Sequence, residues 1–507
     1  MVTNVISGGV HGVEGYTVHV EADIDDGLPT FEIGGNIGGE IREARERVKT
    51  ALKNMGYDLP IGRVTVNLSP ADMHKMGTLY DLPIAIAILS AMNVVPKRST
   101  EATFFAGELM LSGEIRRIKG ALPMIIHAQR SGIKRCIIPK DNELEGALIE
   151  GVDIIGVKDL GEAILYLNGR LEIEKTALRN LADEDFLKYE FDMGLVRGQQ
   201  FAKRGLEIAA AGYHNMLMVG PPGAGKSMLA KCIPSIMPPL SRQECIEISA
   251  VYSVGGLLKD KNSIISTRPF IAPHHSATEV SLIGGGGHPK PGAVSYAGKG
   301  VLFMDEFPEF SRQTLEALRQ PLEDRCVHIM RNLDSIEYPA DFMLVAAMNP
   351  CPCGAYPDRK KCNCTKIARE KYLGKLSKPL LDRMDICVEV EGLKAADLMG
   401  GFKSESSEII RQRVISAHSR QQERFAGSHI IFNSQMNNKE IDKYCALGDK
   451  ESHALKQLCD KYALSARSYY RILKVARTIA DIEGEDLITE EHLYEAVRLK
   501  CSSEILS

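Results

Sequence analysis

The sequence predicts a multidomain α/β protein that ends in an all-helical region. Its 507 residues exceed one ordinary hydrophobic core, and at roughly 100–200 residues per domain we expect about three domains. Strand-like and helix-like segments alternate from about residue 203 to 392, as a parallel sheet with crossover helices requires. After about residue 405 only helical periodicity remains. The predicted division is 1–170, a linker at 171–190, 191–395 and 396–507.

Composition limits the functional classes. Hydrophobic residues make up 44% and charged residues 25%, which is ordinary for a globular protein. The net charge of −4 excludes a general polycation, so any nucleic-acid contact must use local basic patches. The longest apolar run, Leu82–Val95, is too short to span a bilayer, and the first residues lack a signal-peptide pattern. Most of the 12 cysteines are scattered, so we expect a cytoplasmic protein with reduced thiols and no membrane partner.

The first 170 residues mix strand and helix patterns. Tyr16–Glu21 alternates as a strand does, and Arg63–Leu68 does the same. Ile41–Asn54 has apolar residues at helical spacing, and Asp81–Met92 has the composition of a buried helix. Lys134–Pro139 follows as another strand. These patterns predict an α/β or α+β region.

A phosphate-binding loop is the most specific motif. It matches G-x-x-x-x-G-K-[ST] in full, with the residues Gly220, Pro221, Pro222, Gly223, Ala224, Gly225, Lys226 and Ser227. An apolar strand precedes it and a helix beginning near Met228 follows, so a chance glycine-rich turn is the weaker interpretation. Backbone N–H groups of such a loop surround phosphate, Lys226 contacts the β- and γ-phosphates, and Ser227 binds Mg²⁺. We therefore expect ATP and Mg²⁺ as ligands, with Met228 also at the nucleotide.

Two acids end the next buried strand. Gly300–Met304 is apolar and leads directly into Asp305 and Glu306. We expect Asp305 to hold the Mg²⁺ shell and Glu306 to polarise the attacking water. Acids at the end of a strand are often only solvated, but their order after the phosphate loop favours catalysis.

Three later residues complete the predicted ATPase machinery. Asn349 ends the apolar strand that starts at Leu344, where an amide can position water. Arg383 could contact the γ-phosphate of a neighbouring subunit, or could form a local salt bridge with Asp382 or Asp385. In the last region, Arg467 near the start of a long helix is a candidate nucleotide sensor, with Arg471 as its competitor.

Four cysteines and a basic run follow Asn349. Cys351, Cys353, Cys362 and Cys364 form C-x-C-x₈-C-x-C, which could bind one tetrahedral Zn²⁺ or be a loop with reduced thiols. Arg359–Lys378 carries eight Lys or Arg residues and one acid, Glu370. Such a run is usually a solvated face, but it could also contact DNA phosphates.

From about Asp192 onward the chain resembles the AAA+ clade of the magnesium-chelatase ATPase subunit and the MCM helicases. The matching segments are Pro273–Ser276, Leu282–Gly286 and Gly292–Gly298. Over its full length the chain is similar to the YifB/ComM family of chelatase-like ATPases.

This resemblance implies an AAA+ P-loop core and a C-terminal α-helical lid, with nucleotide between them. It also implies an insertion near helix 2 (255–295) and a pre-sensor-1 hairpin near Val327–Tyr338, which in helicases of the clade line the pore and touch DNA. Val196, Gly198 and Gln199 match the family's segment near the adenine. The expected assembly is a hexameric ring. For His274 and His275 we expect packing or helix capping rather than catalysis.

The N-terminal region resembles the proteolytic domain of Lon, which has the ribosomal-S5-like fold. Matching segments are Asn67–Leu82, Gly113–Gly120 and Ser131–Lys140. The positions of the Lon nucleophile and base fall near Leu79 and Leu122, and apolar side chains cannot perform acyl chemistry. We therefore expect a non-proteolytic scaffold, like the similar domain of the branch-migration protein RadA.

The function implied is an ATP-driven motor on DNA, with branch migration or helicase activity in recombination or natural transformation, acting on DNA that could be branched. The alternative is a chelatase-like or protein-remodelling ATPase that works with partner subunits. Proteolysis is disfavoured by Leu79 and Leu122. An adaptor that uses ATP only for assembly is disfavoured by Glu306, because assembly needs no acid that polarises water.

Overall fold

The computed structural model describes residues 2–179, 189–258, 264–287, 289–331, 334–358, 360–392, 404–462 and 464–501. Part of the predicted linker at 171–190 lies outside the described residues, as do the predicted boundary at 395–396 and Arg359. The described chain contains a seven-stranded sheet, a five-stranded sheet and a group of C-terminal helices.

Nine strands lie in the N-terminal part: β1 (Thr3–His11), β2 (Glu14–Asp25), β3 (Thr30–Gly34), β4 (Arg63–Ser69), β5 (Thr103–Phe105), β6 (Glu108–Leu109), β7 (Ile115–Arg116), β8 (Arg135–Pro139) and β9 (Asp153–Val157). Seven of them form one sheet in the order β3-β4-β2-β1-β5-β8-β9, and β6 pairs with β7. The helices of this part are α1 (Gly39–Asn54), α2 (Asp81–Ala91), α3 (Lys97–Thr100), α4 (Ala121–Arg130) and α5 (Leu160–Leu167).

The predicted segments of this region are confirmed, because each buries the side that its periodicity indicated. Val18, Val20 and Ala22 alternate along β2 and are fully buried. Helix α1 buries its apolar stripe under the sheet, and α2 is buried almost all round. Leu122 is fully buried and Leu79 packs against the same cluster, so both positions are filled by packing groups.

The central sheet is entirely parallel, in the order β11-β14-β17-β10-β18. The strands of this part are β10 (Met216–Val219), β11 (Phe270–Ile271), β12 (Gly284–Gly285), β13 (Lys290–Pro291), β14 (Val301–Met304), β15 (Cys326–Arg331), β16 (Asp334–Pro339), β17 (Met343–Met348) and β18 (Ile386–Glu389). Its helices are α6 (Gln200–Gly212), α7 (Lys226–Lys231), α8 (Ile233–Ile236), α9 (Arg242–Gly255), α10 (Glu279–Ile283), α11 (Ala293–Tyr296), α12 (Arg312–Ala317), α13 (Pro321–Asp324), α14 (Lys366–Leu373) and α15 (Lys378–Leu381). Two small antiparallel pairs, β12–β13 and β15–β16, lie outside the sheet.

Both faces of the central sheet are covered, which explains why its strands are continuous apolar runs. Met216 and Met218 of β10 belong to one hydrophobic cluster, whereas Leu217 and Val219 belong to another on the opposite face. The first cluster also contains residues of the C-terminal helices, so these helices pack on the same side as α6.

The C-terminal helices are α16 (Ser407–Arg424), α17 (Asn438–Tyr444), α18 (Asp449–Lys461), α19 (Ala466–Glu483) and α20 (Glu490–Cys501). They agree with the prediction that only helices follow about residue 405. Within the described ranges, no helix has the length and apolar character needed to cross a membrane.

The N-terminal sheet is held against the central part through α9. The amide of Gly120 donates to the carbonyl of Ser253 (3.0 Å), and the Ser253 hydroxyl donates to Glu145 (2.6 Å). Ala250 of α9 is buried in the same apolar cluster as α4. The bonds are buried, so the two parts pack as neighbours in a continuous interior.

A buried charge network in the C-terminal helices provides a test of this packing. Asp481 is 1% exposed and accepts hydrogen bonds from Arg424, Arg477 and Asn433. We predict that Asp481→Ala lowers the opening free energy of α19 by about 3–5 kcal/mol, because it leaves buried arginines uncompensated. Hydrogen exchange at the α19 amides measures this loss.

The matched control is Asp486→Ala. The Asp486 side chain is 96% exposed and pairs with Arg420, so its loss should cost less than about 1 kcal/mol. Equal exchange in the two variants would contradict the buried network.

Candidate nucleotide site

The phosphate loop joins β10 to α7 with two glycines in the left-handed region. Gly223 has φ 77° and Gly225 has φ 89°, values that L side chains rarely adopt. A Cβ built at either position would meet no atom within 4 Å, so the side of the loop at these glycines is open. This open turn before α7, which we call the cradle, has the backbone shape that the predicted phosphate-binding loop needs.

Lys226 is held at the mouth of this cradle. Its Nζ donates to the carbonyl oxygens of Gly220 (2.7 Å) and Pro221 (2.9 Å) and to Oδ1 of Asn349 (3.2 Å). Burial lowers the pKa of Lys226, and the charge of Asp305 opposes this effect. The loop lysine and the predicted Asn349 are thus in direct contact.

Ser227 and Asp305 lie together at the same edge. The Ser227 hydroxyl donates to Oδ2 of Asp305 (2.6 Å). A hydroxyl beside a carboxylate is an oxygen donor set of the kind that Mg²⁺ prefers, so these residues fit the ion that the sequence predicts.

Glu306 occupies a strained and exposed position beside Asp305. Its φ is 51°, in the left-handed region that a glutamate seldom adopts, and its amide donates to Oδ1 of Asp305 (2.9 Å). Its Oε2 lies 3.0 Å from Nδ1 of His275. The carboxylate is therefore oriented by a residue for which the sequence suggested packing or capping.

The two histidines have different partners. His274 contacts the hydroxyl of Ser276 (2.8 Å), and its ring is tilted by 35° against that of His275 with centroids 4.1 Å apart, in accord with the expected local role. His275 differs, because it contacts the carboxylate of Glu306. No local pattern could have revealed this contact, because it joins the β11–α10 connection to the end of β14.

The segment predicted near the adenine lies against the phosphate loop. Gly198 and Gln199 have φ values of 63° and 59°, which turn the chain into α6. The Gln199 side chain donates to the carbonyl of Glu391 (2.6 Å) and to that of Ala224 (3.4 Å). Val196 is buried, and Met228 on α7 is partly exposed beside the loop.

Arg383 lies at the opposite edge of the sheet from the phosphate loop, where the parallel strands begin rather than end. It precedes β18, and the pairing of Met216 with Ile386 places the start of β18 beside the start of β10. Its guanidinium contacts Glu323 and the carbonyl of Pro379 (2.8 Å). The salt bridge with Asp382 or Asp385 considered as an alternative is thus replaced by one with Glu323, and Arg383 does not reach the phosphate loop of its own chain.

A cavity of about 230 Å³ gathers cationic side chains at this edge; we call it the arginine cavity, and its cationic lining is Arg325, Arg383, Arg467, Arg471 and Lys474. Burial would raise the pKa of Asp385 in its wall, but the charges of Arg471 and His214 hold it below its usual range. Burial lowers the pKa of Lys474 to about 8. Arg471 is paired with Asp385, whereas Arg467 is exposed at the rim.

The four predicted zinc ligands are also brought together. The sulfur atoms of Cys351, Cys353, Cys362 and Cys364, which we call the thiol cluster, all lie within 4.8 Å of one another. The following helix α14 carries part of the basic run, and Lys366, Lys371, Lys375 and Lys378 in and after it are exposed. Arg359 of that run lies outside the described residues.

Comparison with known proteins gives matches along the whole chain. A family model described as magnesium chelatase, subunit ChlI, matches residues 192–398, and those described as subunit ChlI of Mg-chelatase and as magnesium chelatase, subunit ChlI C-terminal, match 20–142 and 404–500. Competence protein ComM of Haemophilus influenzae is 41% identical over 505 residues, which cover 98% of this chain and 96% of that protein. YifB of Salmonella typhimurium is 39% identical over 500 residues, with the same coverage of 98% and 96%. Lon protease 2 of Bacillus subtilis is 33% identical over 121 residues, 24% of this chain and 21% of that protein.

The contacts of Lys226 lead to a binding prediction. Lys226→Ala removes the cation at the mouth of the cradle, and we expect at least about a tenfold loss of affinity for ATP, because a charge-assisted contact to phosphate contributes about 1.5–3 kcal/mol. Titration with a fluorescent ATP analogue measures the change.

Lys231→Ala is the matched control, since Lys231 is an exposed lysine on the same helix. It should bind the analogue as the unmodified protein does. Equal affinity in the Lys226→Ala protein would remove this loop from the nucleotide site.

Proposed function

The chain belongs to the YifB/ComM family of magnesium-chelatase-like AAA+ proteins, and on that premise we propose that it hydrolyses ATP with Mg²⁺. The observation that carries the proposal is the convergence of two contacting pairs at the carboxyl ends of the central strands. Ser227 contacts Asp305, and Lys226 contacts Asn349. These four groups come from three separate strand ends. ATP hydrolysis requires such a combination of groups, whereas a loop that only binds phosphate does not need the groups from the other two strands.

Each residue has a distinct task in the proposed reaction. Lys226 binds the β- and γ-phosphates, and Ser227 with Asp305 holds Mg²⁺, which supplies charge neutralisation on the phosphates. Glu306 accepts the proton of the attacking water, and Asn349 orients that water toward the γ-phosphate. His275 fixes the carboxylate of Glu306 through the 3.0 Å contact.

We further propose a ring in which Arg383 and Arg467 serve the neighbouring subunit. Both line the arginine cavity, at the edge of the sheet opposite to their own phosphate loop. A cation on that edge can meet a γ-phosphate only if another subunit presents its loop there. The proposed assembly is a hexamer, the state implied by the AAA+ resemblance.

The substrate that we propose is DNA, which the ring would move in branch migration or helicase activity. Support comes from the relative ComM, which is named a competence protein, and from the exposed lysines on and after α14. The β15–β16 hairpin is proposed as the pre-sensor-1 insertion, with Met330 83% exposed near its tip. The segment at 255–295 is proposed as the helix-2 insertion, and α16–α20 as the lid.

The remaining assignments of the proposal concern the N-terminal region and the compartment. We assign residues 1–170 as a Lon-like scaffold without proteolytic activity, because Leu79 and Leu122 fill the apolar cluster. The thiols described by the structure are all free, which suits the bacterial cytoplasm.

A chelatase-like or protein-remodelling ATPase is the second candidate. The descriptions of the matching family models favour it, because each refers to a magnesium-chelatase subunit. It needs partner subunits, and it predicts that DNA leaves the ATPase rate unchanged.

The catalytic assignment predicts a separation of binding from turnover in Glu306→Gln. Loss of the base should lower the steady-state ATPase rate by about 10²–10⁴-fold while ATP still binds.

In the unmodified protein, four-way-junction or forked DNA should raise the steady-state ATPase rate above the rate with duplex DNA.

Glu309→Gln is the control for this variant, because Glu309 is an exposed acid three residues away that pairs with Lys375 (3.0 Å). It should retain full turnover. A rate insensitive to every DNA would move the proposal to the second candidate, and full turnover by Glu306→Gln would remove the base assignment.

The ring assignment predicts complementation between two inactive variants. Arg383→Ala and Lys226→Ala should each lose turnover, yet an equal random mixture should regain it at about a quarter of the interfaces, where an intact loop meets an intact arginine. Steady-state ATPase of the mixture after subunit exchange measures the gain.

Arg319→Ala serves as the control, because Arg319 is an exposed arginine of the same part that pairs with Glu316 (2.9 Å). The Arg319→Ala protein should hydrolyse ATP at the unmodified rate without being mixed with another variant. A mixture as inactive as its components would show that Arg383 does not act across an interface.

A further inference from the structure

The thiol cluster has the dimensions of a single-metal site. The Sγ atoms of Cys351 and Cys353 lie 3.4 Å apart, those of Cys351 and Cys362 3.8 Å, and those of Cys353 and Cys362 3.6 Å. Four thiolates around one Zn²⁺ with Zn–S bonds of about 2.3 Å would be about 3.8 Å apart. The observed separations therefore fit one tetrahedral ion.

Other uses of the four thiols fit less well. A disulfide needs sulfur atoms about 2.05 Å apart, which is much closer than the observed separations. An iron–sulfur cluster inserts several atoms between its cysteines and spreads the sulfur atoms more widely than one ion does. Four protein ligands also close the coordination shell, which is typical of a structural rather than a catalytic zinc.

The charge around the thiol cluster suits thiolates. Four thiolates and one Zn²⁺ carry a net charge of −2, and Lys360, Lys361 and Lys366 lie within two residues of a ligand in the chain. Nearby cations favour the thiolate over the thiol, which is the form that binds metal. The start of the basic run thus lies next to the cysteines in the chain.

The described residues of the loop that carries the cluster are held mainly by short-range contacts. Between β17 and α14, backbone hydrogen bonds join Gly354 to Cys351 (2.9 Å), Asp358 to Ala355 (3.0 Å) and Cys362 to Asp358 (2.8 Å), and Arg369 of α14 lies over the Tyr356 ring (4.0 Å). Pro352, Cys353 and Pro357 are exposed, so the apolar burial that normally fixes a loop is small. A metal cross-link would join the two ends of the loop, which these short-range contacts do not do.

This loop lies directly against the phosphate loop. Gly354 has φ 77°, and a Cβ on it would lie 2.5 Å from Cδ of Pro222. Asn349, two residues before Cys351, accepts the hydrogen bond of Lys226. At its other end the loop reaches Thr365, whose hydroxyl caps α14 by accepting from the amide of Ala368 (3.2 Å).

We propose that the thiol cluster binds one structural Zn²⁺ ion, which fixes the loop between β17 and α14 against the phosphate loop. The metal site stands on the cysteine geometry alone. Its effect on nucleotide binding rests on the proposed ATPase function. The ion thus links the strand end that presents Asn349 to the basic helix that is proposed to contact DNA.

The stoichiometry of the full-length protein, purified without a metal-binding tag, tests the site. We expect one zinc per chain by elemental analysis, released in full when an organomercurial titrates the thiols of the folded protein. Cys353→Ser and Cys362→Ser should each lose the zinc, whereas Cys459→Ser, which changes a partly exposed thiol on α18, should keep it. Zinc-free unmodified protein that also fails to take up added Zn²⁺, or an equal amount of iron in its place, would overturn the assignment.

Hydrogen exchange tests the link to the nucleotide site without relying on activity. Removing the metal should speed exchange in residues 349–374 and also in 220–227, and the second change should weaken binding of the ATP analogue. Unchanged exchange in 220–227 after complete loss of zinc would overturn the link. If the unmodified protein does not hydrolyse ATP, the proposed function fails, while the zinc content still decides the metal site.

Discussion

The parallel register of β10, β14 and β17 is the constraint on which the candidate site depends. Val219 pairs with Met348 and Met304 pairs with Ala346, so the three strands deliver their next residues to the same edge. Parallel strands buried on both faces can do this only with apolar side chains, and polar groups are confined to the strand ends. The phosphate loop, Asp305 and Asn349 are therefore neighbours because the core between them is apolar and aligned.

The same register separates the two ends of the sheet. A residue that follows a strand lies at the end of the sheet that carries the phosphate loop. A residue that precedes a strand, such as Arg383 before β18, lies at the opposite end. The arginine cavity collects its cations there, with Asp385 and Glu323 as counter-charges. Burial of several like charges costs less when acids are interleaved with them, which explains how this cavity can hold Arg383 and Arg471 together. One fold thus places the glycine-rich loop at one end of the strands and cations at the other, as the proposed ring of identical subunits requires.

Local patterns predicted the elements and the loop motif, while non-local packing decided the contacts. Helical periodicity gave α1 and the C-terminal helices, and continuous apolar runs gave α2 and β10, because burial is reflected in the sequence itself. Strand order also predicted Asn349 as part of the ATPase machinery, although its contact with Lys226 appears only in the structure. The partner of Arg383 did not, because Glu323 is 60 residues away and Asp385 is occupied by Arg471 and His214. His275 was missed for the same reason, since its partner is on another strand.

The position of Glu306 shows how the site combines exposure with orientation. A base that takes a proton from water must face solvent, yet an exposed carboxylate has rotational freedom that slows a directed transfer. The left-handed backbone of Glu306 and the 3.0 Å contact with His275 together restrict that freedom. His275 belongs to the connection before α10, and α10 is tied to α12 through Glu279 and Gln313 (2.6 Å). Because this connection lies within the proposed helix-2 insertion, a force on the insertion would act directly on the orientation of the base. In the proposed ring motor, this contact would be the physical route by which polymer binding sets the rate of hydrolysis.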